Sequence, residues 1–179
     1  MLDATPMGRP LYEKVGFEGL RELDRMVSDG VKVQRRSSEV SPIRPRDLAA
    51  AIAMDGRFFG VKRAALIKSV YADAPHLAWQ VRRRGRIAGF CMGRKGTRYY
   101  LGPLMAGNID DAMALAAAAF EAVKDGGFIV DIPACQAEFR NWLSGIGFTR
   151  QRSFTRMSYG KAPRQSAENQ FAIAGPEFG

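Results

Sequence analysis

The 179-residue sequence predicts a mixed α/β domain built on a single sheet. Three observations carry the prediction. Residues 76–106 alternate apolar and polar side chains around two basic turns, Arg84-Gly85 and Lys95-Gly96, the pattern of a three-strand antiparallel meander. An alanine-rich helical stretch follows at 110–124 and leads, past Gly126-Gly127, into a short apolar run at 128–132. A helix between two strands of one sheet acts as a crossover, so strand 128–132 should lie parallel to strand 99–106.

The remaining elements read in order. Residues 10–15 form a helix with Leu11 and Val15 on one face, closed by Gly16-Phe17, glycine standing where helices often end. Residues 18–27 alternate weakly, as a strand or an arm. Residues 28–42 are polar and interrupted, the pattern of a linker. A short strand at 40–44 stops at Pro45, and Asp47 opens a helix over 48–54. A second helix is expected over 55–71, broken near Gly60. Leu77, Trp79 and Val81 share one face of strand 76–83, which turns into strand 87–93 and then 99–106. Helix 136–144 is closed by Gly145 and Gly147, and strands 148–159 and 170–174 end the chain. The order over 40–176 is β-α-α-β-β-β-α-β-α-β-β.

Composition bounds the function. Apolar residues make up 46% and charged residues 25%, the balance of a globular domain with a real core. No run reaches the roughly 18 apolar residues of a membrane helix, so no membrane partner is expected. The first ten residues lack the basic start and apolar core of a signal peptide, and a cytoplasmic location is expected. Two cysteines, Cys91 and Cys135, and one histidine, His76, argue against a zinc site, a disulfide framework or a Ser-His-Asp triad. The net charge of +9 reads either as a solvated basic surface or as attraction for an anionic ligand. Much of it lies in the turns 82–86 and 94–98, without interleaved aromatic residues, so nucleic acid is not an expected partner.

The chain also repeats itself. Gly16-Phe17 is followed by Arg25-Met26, and Gly147-Phe148 by Arg156-Met157, at the same spacing. Upstream, Asp3-Ala4-Thr5-Pro6 resembles Asp131-Ile132-Pro133-Ala134. The expected organisation is a C-terminal remnant of a preceding homologous domain at 1–29, a linker at 30–39 and the main domain at 40–179. Such a remnant would leave an apolar helix face uncovered. Leu11, Val15 and Phe17 are therefore expected to pack on the main domain or on a second chain, as in a homodimer.

The element order and the ending Phe139-Arg140-Asn141-Trp142-Leu143-Ser144-Gly145-Ile146-Gly147-Phe148 resemble the GNAT N-acetyltransferase superfamily. So does Leu11-Tyr12-Glu13-Lys14-Val15-Gly16-Phe17. Asp55, Phe59-Gly60 and Arg63, together with 101–106, Arg156-Met157 and 172–177, resemble a two-domain subfamily with a divergent C-terminal GNAT-like domain. The resemblance implies an N-acetyltransferase with acetyl-CoA as donor, no metal, and a small amine as acceptor. It implies that a tyrosine on the last helix protonates the departing thiolate, a role that falls on Tyr12, with a cofactor loop upstream of residue 1. In the second copy Leu143 takes that place, and leucine has no proton to give. The phosphate-binding loop at a helix N-terminus falls on Met105, Ala106, Gly107 and Asn108, of which only Gly107 fits the family's pattern. Asp110 and Asp111 would repel a pyrophosphate there. Asp55, Phe59 and Arg63, spaced i, i+4 and i+8, read either as an ion pair over a core aromatic or as a wall of the acceptor site. The chain is thus expected to be a divergent domain with little turnover alone. A non-catalytic ligand-binding or dimerisation module is the alternative.

Overall fold

The structure, a computed structural model, describes residues 1–33, 39–123 and 125–178. Nine strands form one sheet: β1 Leu2–Ala4, β2 Phe17–Ser28, β3 Val40–Pro42, β4 Trp79–Arg83, β5 Arg86–Arg94, β6 Tyr99–Ala106, β7 Phe128–Pro133, β8 Thr149–Tyr159 and β9 Gln170–Ala172. Among the described residues five α-helices accompany them: α1 Arg9–Lys14, α2 Leu48–Phe59, α3 Ala64–Asp73, α4 Ile109–Glu121 and α5 Ala137–Gly145. The strand order is β1-β8-β2-β7-β6-β5-β4-β3, and β9 pairs with β6 off that path. The meander β4-β5-β6 and the parallel pair β6/β7 appear as the pattern predicts. The meander's first turn places Arg84 at φ 51° and Gly85 at φ 76°, the left-handed conformations a two-residue hairpin turn requires.

One helix boundary differs from the sequence reading. One unbroken helix, α2, covers both 48–54 and the start of the expected second helix, and it ends at Gly60, whose φ is 83°. Alanine and methionine support helix through residue 54, so nothing locally favours a stop before the glycine. The short strand β1 was not expected, because three residues carry no readable period. Residues 34–38, inside the expected linker, lie outside the described residues.

The sheet divides the core. On one face α4 and α5 pack Leu115, Phe120, Phe139 and Leu143 against Leu101, Leu104, Phe128, Val130 and Ile132. On the other, α2 and α3 pack Phe58, Phe59, Ile67 and Val70 against Phe90, Met92 and Met105.

The N-terminal strand–helix–strand unit is built into this sheet. β2 lies between β7 and β8, antiparallel to both, and β1 pairs with the outer edge of β8. Residues 128–159 make the other strand–helix–strand unit, β7-α5-β8. Charges cross between the two. Arg25 of the first unit donates to both oxygens of Asp131 at 2.7 Å, and Arg156 of the second donates to both oxygens of Asp3 at 2.8 Å.

The C-terminal stretch crosses α2 before entering the sheet. The Ser166 N–H and the Gln170 amide both donate to the Phe58 carbonyl, at 2.8 and 3.2 Å. β9 then enters between β6 and β7. Leu104 stands opposite Ala172 and Met105 opposite Gln170, and on the other side the Ile173 N–H donates to the Asp131 carbonyl at 3.0 Å.

Candidate functional site

The expected cofactor segment lies where β6 runs into α4. Met105 and Ala106 are fully buried, and Gly107 and Asn108 are exposed. Asn108 caps α4: its Oδ1 accepts from the Asp111 N–H at 2.9 Å, and its Nδ2 donates to Asp111 Oδ2 at 3.1 Å. Arg83 donates to Asp111 Oδ1 at 2.7 Å. The Gly107 N–H is bound to the Ala88 carbonyl at 3.2 Å. The helix end is therefore supplied with its own anion. A pyrophosphate there would meet Asp110 and Asp111 and would have to displace the Asn108 cap.

Beside this helix end, β6 and β7 part company. They are paired from Tyr99/Phe128 to Leu101/Val130 and no further. β9 occupies the space beyond. Asn169 Nδ2 donates to the Ala106 carbonyl at 3.1 Å, the last acceptor of β6 before α4. Gln136, at the start of α5, donates to the carbonyls of Ala167, Glu168 and Gln170 at 3.2, 2.9 and 3.1 Å, holding the turn that leads into β9. Glycine at 102 is required by close approach, since any side chain there would overlap the Ile173 carbonyl.

Below β9, the Tyr100 hydroxyl donates to Asp131 Oδ2 at 2.7 Å, the carboxylate Arg25 also holds. Burial and the adjacent Asp131 charge push the Tyr100 phenol well above its ordinary value. Arg94 lies over the Tyr100 ring at 4.7 Å and pairs with Glu177 at 2.7 Å. Residues 174–178 thus continue the cover that β9 begins. Tyr100, Gln136 and Asn169 were not expected at a site, and Asp131 entered only as the counterpart of Asp3 in the repeat. One signal was present: a carboxylate, Asp131, interrupting the buried strand Phe128-Ile129-Val130-Asp131-Ile132.

Asp55, Phe59 and Arg63 do come together, by a different route from the one expected. Asp55 and Phe59 are on α2, but Arg63 lies past Gly60, at the start of α3. It reaches back to donate to both Asp55 oxygens at 2.9 and 2.8 Å, with its guanidinium 3.5 Å from the Phe59 ring centre. The pair is closed on itself, with the Asp55 side chain 1% and the Arg63 side chain 11% exposed.

Tyr12 sits on α1, half-buried, its ring centre 5.7 Å from that of Phe17 in an edge-on arrangement. No residue of α1 is buried, and Leu11 and Val15 are 64% and 57% exposed. Leu143, at the matching place on α5, is fully buried in the core. Burial pushes the Cys91 thiol up and leaves it unreactive, whereas Cys135 is exposed. Among the described residues no helix is long and apolar enough to cross a membrane, and no group of three or more His, Cys, Asp or Glu could hold a metal ion.

Acetyl-CoA does not fit the cleft between β6 and β7 in this arrangement. The phosphate end carries carboxylates, and the cleft holds the chain's own strand.

A mixed sheet whose one parallel pair opens beside a helix N-terminus, with two helices on each face, is the architecture of acyl-CoA N-acyltransferases. The chain belongs to the GNAT acetyltransferase domain family, whose model matches residues 51–172. Solved structures share the fold at low identity. A candidate acetyltransferase from Pyrococcus horikoshii superposes with a TM-score of 0.77 at 19% identity, over 97% of this chain and 57% of its own. A candidate GNAT-family acetyltransferase from Novosphingobium aromaticivorans gives 0.62 at 14%, over 82% of this chain and 69% of its own. A GCN5-related N-acetyltransferase from Sphaerobacter thermophilus gives 0.62 at 14%, over 92% of this chain and 61% of its own. The chain thus spans less than two thirds of the length of two of these three. No curated protein matches the sequence.

Proposed function

We propose that this chain is the divergent GNAT domain of an acetyl-CoA-dependent N-acetyltransferase acting on a small amine, and that it does not itself bind the donor. The observation that carries the reading is the α4 N-terminus, where Asn108 caps the helix and Asp111, held by Arg83, stands where a donor phosphate would be needed. The donor site then belongs to a further GNAT unit. Residues 1–29 are read as derived from the closing unit of such a domain and built here into this sheet through β1 and β2, with Tyr12 and the exposed Leu11 and Val15 facing the further unit. In the chain on its own, the same face would bring two copies together. A cytoplasmic setting fits this reading.

A thiol-release assay with acetyl-CoA and a panel of amines tests the proposal, run beside calorimetry with coenzyme A. The expected result is no turnover by the chain alone. Turnover that survives Tyr12→Phe would show that the second copy works as an enzyme and would overturn the reading. The second reading, a non-catalytic dimerisation module, is favoured by the same exposed face and would be supported if the chain pairs through Leu11 and Val15 yet never promotes acetyl transfer in any longer form.

A further inference from the structure

β6 leads directly into α4. A carrier molecule with its phosphates at that helix end would lay the rest of its length along the last residues of β6. The arm of coenzyme A is an extended chain bearing two amides, which need backbone partners of the kind a strand edge offers. Such partners exist only where two strands are not already paired. β6 and β7 separate after Leu101 and Val130, leaving room for one extended chain, since adjacent strands lie about 4.8 Å apart. The chain that fills it here is its own: Ala172 and Gln170 lie against Leu104 and Met105, the Ile173 N–H is on the Asp131 carbonyl, and the Asn169 amide is on the Ala106 carbonyl.

Resting on the functional reading above, we infer that residues 169–174 are a built-in occupant of the carrier-arm cleft. They take the backbone partners an amide-bearing acyl carrier would use, and Gln136 is the latch that keeps them there. The cleft is closed by strand addition rather than by bulky side chains lining it. An arm without phosphates gains entry when the strand leaves, taking Phe171 and Ala172 out of the core with it. Gly102 belongs to this device, because its missing side chain lets the Ile173 carbonyl approach β6.

The probe is pantetheine, which carries both amides and the thiol but no phosphate for Asp110 and Asp111 to repel. Calorimetry compares the intact chain, the chain ended after Arg164, and full-length Ile173→Pro, which lacks the N–H that Asp131 accepts. Pantetheine should bind each altered form at least about tenfold more tightly than the intact chain. Circular dichroism establishes which altered forms are folded. Hydrogen exchange on the intact chain adds a readout independent of the variants: the Ile173 amide should be protected, and in Gln136→Ala it should exchange at least about tenfold faster. Equal pantetheine affinity in the intact chain and a folded variant, or an Ile173 amide that exchanges as freely as an open tail, would overturn the inference. Neither outcome bears on whether the intact chain turns over acetyl-CoA, which is decided separately by the thiol-release assay and Tyr12→Phe.

Discussion

Arg156 and Asp3, 153 positions apart in the chain, form a two-point ion pair at 2.8 Å in which the arginine side chain is 1% exposed and the aspartate 0%. Its counterpart joins Arg25 to Asp131, so each strand–helix–strand unit supplies the arginine to the other's aspartate. Loss of one partner strands a buried charge, and that cost exceeds what the intact pair contributes. Asp3→Asn should destabilise the fold by about 3–5 kcal/mol, read by urea denaturation. The double variant Asp3→Leu with Arg156→Met should be less damaging than Asp3→Asn alone. A small effect of the single substitution would mean that the N-terminal strand is not held by this pair.

Alkaline pH should reveal Tyr100. Its folded-state value is raised above the ordinary 10.0, so the folded chain holds this proton more tightly than the unfolded chain. The associated stability is fully present below about pH 10 and is lost as pH rises toward the folded-state value. The buried Cys91 thiol, also raised, adds a loss of the same sign that begins nearer pH 8.5. Tyr100→Phe should lower stability by about 1–2 kcal/mol at neutral pH, because Asp131 loses a donor. It should also flatten the decline above pH 10. Urea midpoints between pH 8 and 11 test both effects, and an unchanged alkaline slope would remove Tyr100 as its source.

Asp55 and Arg63 make a similar case on α2 and α3. Asp55→Ala leaves Arg63 over Phe59 without its carboxylate and should cost about 3–5 kcal/mol. Thermal unfolding would show it as a drop in Tm of several degrees. A variant as stable as the parent would favour the other reading of these residues, as a wall for an acceptor.

The exposed face of α1 predicts the opposite pattern. Leu11→Asp combined with Val15→Asp replaces side chains 64% and 57% exposed, and stability of the isolated chain should change by less than about 0.5 kcal/mol per site. Self-association at micromolar concentration should be lost. Sedimentation velocity measures this, and identical profiles for parent and variant would rule the face out as a contact between copies.

Local pattern carried most of the elements and little of the sheet's order. The meander was readable because alternation and the Arg84-Gly85 turn are adjacent in sequence, and α5 because Gly145 and Gly147 punctuate it. The place of β2 was not readable: its partners on β7 and β8 lie more than a hundred residues away, and periodicity says which face of a strand is buried, not which strand lies beside it. The joining of Asp55 to Arg63 was half legible. Their approach survived the break at Gly60 because the loop returns the arginine across Phe59. The tail strand β9 was expected as a strand, but nothing in its few residues marked the cleft it would enter.

Because β2 sits in the middle of the sheet, the order in which the chain is made conflicts with the order in which it can be completed. β2 is made before β7 and β8 and must wait for both. Closing so long a loop costs entropy before any pairing repays it, which makes such topologies slow to fold. Until then the apolar and ionic groups of β2 are open to other chains, and the strand invites pairing with a neighbour's newly made β7 and β8. A change within residues 17–28 is therefore not a change at the margin of this domain: it acts on an interior strand, and its effect should appear first in the yield of folded monomer.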